Sequence, residues 1–79
     1  VTPTERIATA LAIWPGRELD VAEKVGVSKS RLRVWAELAE GRYLAPTEGD
    51  AARVEVAVRE LLVERLSRLV VTMPVGALA

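Results

Sequence analysis

The sequence predicts an all-α domain in which three short helices precede one long C-terminal helix. Three kinds of observation carry that prediction. Apolar residues recur three and four positions apart, which gives each run one oily face. Residues able to cap a helix stand where the helices would begin, and glycines stand where two of them would end. The gaps between these signals are short, the longest being residues 41–50, GRYLAPTEGD. At 79 residues the chain reads as a single domain, 1–79. A domain of that size buries a limited core and often relies on oligomerisation for further stability.

Thr2-Pro3-Thr4-Glu5 has the form of a capping box, with proline at the first helical position, where its missing N–H costs nothing. A first helix is expected from about Thr4 to Ile13, with Ile7, Leu11 and Trp14 inward and Trp14-Pro15-Gly16 as its stop. A second runs from about Glu18 to Val25 and is apolar through Val21, Ala22 and Val25. Gly26 follows, where the chain must reverse and a positive φ costs a glycine little. Ser28 can cap a third helix, from about Lys29 to Glu40, which Gly41 would end. Leu32 and Trp35 lie on one face of it, with Ala39 a turn further on. Asp50 is expected to cap the long helix, about 50–71, leaving a tail, 72–79. Val54, Val58, Leu61, Leu62, Leu66 and Leu69 form its apolar stripe, and Arg53, Glu60, Glu64 and Arg68 lie off it. Ala52, Val54, Val56 and Val58 also alternate, so its beginning could instead be a strand.

Residues 18–37, ELDVAEKVGVSKSRLRVWAE, carry a further pattern. A small residue, Ala22, stands four before Gly26, apolar Val25 and Val27 flank the glycine, and Leu32 and Trp35 follow six and nine beyond it. This resembles the helix-turn-helix of DNA-binding regulators across all twenty residues of the segment. The resemblance implies that the third helix enters the major groove of duplex DNA. The following connection is also similar to that of winged regulators of the MerR and excisionase type. It places Leu44, Pro46, Thr47, Glu48 and Gly49 in the order of their wing, and Ser30 to Trp35 is similar to their recognition helix. The departure lies in the second wing strand. Those proteins usually make it basic and aromatic, whereas Asp50-Ala51-Ala52-Arg53-Val54 offers one arginine.

Composition narrows the chemistry. With no cysteine there is neither a disulfide nor a thiolate metal site, and with no histidine the usual general base and commonest metal ligand are missing. No phosphate-cradling glycine loop, nucleophile elbow or metal cluster appears, so the expectation is a non-enzyme without cofactor, metal or small-molecule ligand. The longest uncharged run, Leu69 to Ala79, is 11 residues, short of the roughly 20 that span a bilayer. A cytoplasmic protein without membrane contact is expected. Nine of the 11 basic residues are arginine, a bias that fits a GC-rich bacterial or phage genome.

The formal net charge is zero, whereas nucleic-acid binders usually carry a basic excess. Its distribution points the other way, because Lys29, Arg31 and Arg33 cluster with no acid between Glu23 and Glu37. If Leu32 and Trp35 face inward, then Ser30, Arg33 and Val34 face out. Arg33 is placed to pair with guanine and Val34 to pack on a thymine methyl. Ser28, Lys29 and Arg31 border the same face, with Lys29 and Arg31 directed at phosphates or nearby bases, and Arg42 and Tyr43 in the loop could touch the DNA backbone, the alternative for Tyr43 being to cover the edge of the core. The plain alternative for the basic cluster is a solvated helix face. The expected function is a sequence-specific duplex DNA-binding protein, a small transcriptional regulator of repressor or excisionase-like kind. The alternative is a protein-interaction module on the same scaffold. A homodimer is expected, with Val56, Val63 and Val70, seven residues apart, along its interface.

Overall fold

The computed structural model describes residues 1–37 and 44–72, with side chains described through Leu69. Four helices make up its framework: α1 (Pro3–Ile13), α2 (Glu18–Val25), α3 (Lys29–Glu37) and α4 (Glu48–Thr72). No strand occurs among the described residues, and the alternating stretch 52–58 is helical. The expected continuation of the third helix to Glu40 falls outside the described residues.

Three of the four helices start on a local side-chain hydrogen bond that the sequence provides, and α2 starts at Arg17 without one. The Thr2 hydroxyl accepts from the Glu5 amide at 3.1 Å, and Pro3 occupies the first turn. The α2–α3 turn rests on Gly26, at φ 90°. Its amide and that of Val27 both donate to the Ala22 carbonyl, at 2.9 and 3.0 Å. A Cβ on Gly26 would meet nothing within 4 Å. Backbone conformation, and not lack of space, therefore selects glycine there. Ser28 then caps α3, its Oγ accepting from the Arg31 amide at 3.1 Å.

The start of α4 corrects the sequence expectation. Thr47 is the cap, and Asp50 sits three residues inside the helix. The Thr47 hydroxyl accepts from the Asp50 amide at 3.1 Å, while the Asp50 carboxylate accepts from the Thr47 amide at 2.9 Å. This reciprocal box satisfies two amides at once and outcompetes a single cap by Asp50. Pro46 and Ala51, one residue before and four after the cap, are both buried, as in a hydrophobic staple. Thr47-Glu48-Gly49 thus opens a helix and does not form a wing turn. Arg42 and Tyr43 lie outside the described residues.

The core draws on every helix: Ile7 and Ala10, Val21 and Ala22, Leu32 and Trp35, then Ala51, Val54, Ala57 and Val58. Ala22 is buried where the helices converge, which is why a small residue is needed there. α3 and α4 each pack on both α1 and α2, so the first two helices lie between the third and the fourth.

Helix lengths decide where burial stops. α4 has 25 residues and α1 has 11, or about 37 Å against about 16 Å at 1.5 Å per residue. Leu61 and Leu62 are half-buried, but Leu66 and Leu69 are 61% and 47% exposed. Of the expected stripe, Val54 and Val58 are thus buried, while Leu66 and Leu69 lie past the reach of the neighbouring described helices. Val56 and Val63 are also exposed, at 45% and 56%, and the side chain of Val70 lies outside the described residues. Trp14, expected inward, is half-buried at the end of α1, with the Arg17 guanidinium 5.6 Å from its ring centre.

Candidate nucleic-acid interface

α3 is held by its inner face. Leu32 is fully buried and Trp35 nearly so, and these two side chains set the rotation of the helix. Ser28, Lys29, Ser30, Arg33 and Val34 are consequently exposed, and Arg31 is half-buried at the side. The structure thus brings six of the eight residues expected at a DNA surface onto one continuous stretch. Glu37 is exposed at the far end, where it adds the one negative charge of the helix.

The cations of α1, α2 and the turn between them are all paired, whereas those of α3, like Arg59 and Arg65 of α4, form no ion pair with a described acid. Arg6 pairs with Glu48 and Glu55, and Lys24 pairs with Glu60 and Glu64, at 3.5 and 2.8 Å. Arg17 pairs with Asp20 at 3.6 Å and Arg53 with Asp50 at 2.7 Å. None of Lys29, Arg31 and Arg33 forms an ion pair with a described acid. α3 also has no acid in its first turn, so the partial positive charge of its N-terminus adds to theirs.

The paired groups respond accordingly. The hydrogen bond from Arg6 holds the Glu55 carboxyl below its ordinary value, outweighing desolvation, and Lys24 does the same to Glu64. Lys24 is raised in turn, chiefly by its bond to Glu64. For Asp50, burial pushes the carboxyl up. The Thr47 amide, the Arg53 guanidinium and the Thr47 hydroxyl together outweigh that push and leave it lowered.

The ion pairs of Arg6 and Lys24 join residues 36 to 49 apart in the chain, and no local pattern announces them. Only the alternation of acids with the α4 stripe hints that Glu60 and Glu64 lie off the core. Among the described residues no helix is long and apolar enough to cross a membrane. No protein-family model, curated protein or solved structure matches this chain.

Proposed function

We propose that the protein binds duplex DNA sequence-specifically through α3, as a small transcriptional regulator of repressor or excisionase-like kind acting in pairs. The observation that carries this reading is that Lys29, Arg31 and Arg33 cluster on one nine-residue helix with none of them paired to a described acid, while Arg6 and Lys24 are engaged by α4. A phosphate backbone supplies the counter-charge that the fold withholds. Lys29, at the start of α3, and Arg31, at its side, are placed for phosphates. Arg33, exposed on the outer face, reaches the guanine acceptors, and Val34 meets a thymine methyl.

Selection of bound duplexes from a random pool tests the reading directly. A consensus is expected, and Arg33→Ala should relax one base position at a cost of about 1–3 kcal/mol. Failure to bind any duplex at about 50 mM salt would shift the assignment to a protein-interaction module. A consensus that survives Arg33→Ala unchanged would mean that α3 is oriented differently in the groove.

A further inference from the structure

Arg33 and Val34 occupy part of the outward face of α3, and Glu37 occupies its middle. Glu37 is exposed and forms no ion pair with a described cation, not even with Arg33 one turn back. Its direction follows from the helix. At about 100° per residue, Glu37 lies within about 20° of Ser30 and about 40° of Arg33. Leu32 and Trp35 form the buried side of α3, and the direction midway between them points almost directly away from Glu37.

An acid in that place opposes the attraction that Lys29, Arg31 and Arg33 have for phosphates. It also cannot stand clear of the bases. α3 has nine residues, about 13 Å at 1.5 Å per residue, against a major groove roughly 12 Å wide. Its outward face fits within the groove from end to end.

We infer that Glu37 reads a cytosine, accepting a hydrogen bond from the exocyclic N4 amino group in the major groove. The inference rests on the reading of α3 as the DNA-binding helix and names a base that this helix selects. An ionised carboxylate accepts hydrogen bonds and donates none. Among the base edges of the major groove, only the amino groups of cytosine and adenine donate. Adenine sets its N7 acceptor beside that amino group, where it opposes the second carboxylate oxygen, whereas cytosine presents its donor alone. Guanine and thymine turn acceptors towards the charge. Glu37 thus rejects three bases while it accepts one, and specificity is that difference.

The spacing along α3 places the cytosine. Glu37 stands four residues beyond Arg33, about 6 Å along the axis, and base pairs follow one another every 3.4 Å or so. The cytosine is therefore expected within two base pairs of the guanine that Arg33 meets.

The test selects bound duplexes from a random pool with the 79-residue parent, with Glu37→Ala and with Glu37→Gln. The affinity of each protein for its own consensus and for an unrelated duplex is then measured by fluorescence anisotropy. The parent should select cytosine within two base pairs of the position that Arg33→Ala relaxes. Replacing that cytosine should weaken parent binding about tenfold or more. Glu37→Ala should lose the preference at that position alone and bind the unrelated duplex more tightly, since a charge that repels phosphates is gone. Glu37→Gln should move the preference to adenine, whose N6 and N7 match a glutamine amide. All three proteins should melt alike, because the side chain is exposed. A parent consensus without that cytosine would overturn the inference and leave α3 as the DNA-binding helix. So would a Glu37→Ala protein that binds every duplex more tightly with its consensus unchanged. A parent that binds no duplex at all would overturn the reading of α3, and the inference with it.

Discussion

Replacing Lys29 by alanine should change the salt dependence of DNA binding by a calculable amount. Counterion release makes the logarithm of the binding constant fall with the logarithm of salt at about 0.9 per phosphate neutralised. With Lys29 and Arg31 on phosphates and Arg33 on a base, each head engages about two phosphates, and a slope near −1.8 follows. A fourfold rise from about 50 to 200 mM salt then weakens a single head about twelvefold, and a pair of heads, with slope near −3.6, roughly 150-fold. Lys29→Ala removes one contact per head and should flatten the slope of a pair to about −1.8. Arg17→Ala is the control, since its guanidinium lies beside Asp20 and over the Trp14 ring. Fluorescence anisotropy of a labelled duplex across a salt series measures each slope. If Lys29→Ala leaves the slope unchanged, or if Arg17→Ala flattens it equally, the unpaired cluster on α3 is not what the phosphates meet.

Gly26→Ala tests the turn. A left-handed backbone costs a side chain about 1–2 kcal/mol, against about 0.4–1 kcal/mol recovered by stiffening the unfolded chain. With no atom within 4 Å of the new Cβ, a net loss of about 1 kcal/mol is expected, lowering the melting midpoint by about 4–8 °C; an unchanged midpoint would contradict the positive φ. Leu32→Ala should cost about 2–5 kcal/mol in urea unfolding, because the side chain is fully buried, and a loss below 1 kcal/mol would mean that α3 is not anchored there. Val63→Glu should leave the domain folded, since Val63 is 56% exposed; loss of the circular-dichroism signal would place it in a core. The lowered Glu55, Glu64 and Asp50 carboxyls stabilise the fold above their unfolded-state values, near 4, and that stability is lost as pH falls through their lower folded values. The raised Lys24 ammonium stabilises the fold below about 10.4 and ceases to as pH rises through its higher folded value. The urea midpoint should thus fall at both extremes, and Lys24→Met should reduce both losses; equal losses in the variant would assign them to other groups.

The legible parts of this fold are those decided within a few residues. Thr2 and Ser28 act on amides three positions ahead, and Gly26 on the carbonyl four behind, so α1 and α3 begin, and α2 ends, where these residues announce it. At Thr47 and Asp50 the same logic meets two acceptors three residues apart, either able to cap a helix, and the chain uses both at once. The apolar face of α4 was equally plain, but which part of it would be covered depends on how far the neighbouring helices reach. That is a property of packing, and it left Leu66 and Leu69 outside. For the candidate site, the orientation of α3 could be read from Leu32 and Trp35. Which cations would be neutralised could not, since Arg6 and Lys24 find their acids across the fold.

Zero net charge and the proposed nucleic-acid surface are compatible here because the fold sorts its charges. A phosphate responds to charges within a Debye length of about 8 Å at physiological salt, and the total over the chain is irrelevant beyond that range. Glu48, Glu55, Glu60 and Glu64 all lie on α4 and are engaged by Arg6 and Lys24 from α1 and α2. Those two cations face α4, while α3 packs against the same two helices separately. Arg6 and Lys24 are thereby spent on these acids of α4, of whose four charges they offset two, and Lys29, Arg31 and Arg33 remain on another helix with only Glu37 to oppose them. Exposed ion pairs of this kind contribute little to stability. Their larger effect is on the field, because they consume the cations of α1 and α2 and hold the acids on the α4 side of the fold. The same pairing fixes α4 against α2 two residues before Gly26, so Lys24 anchors to α4 the turn that aims α3.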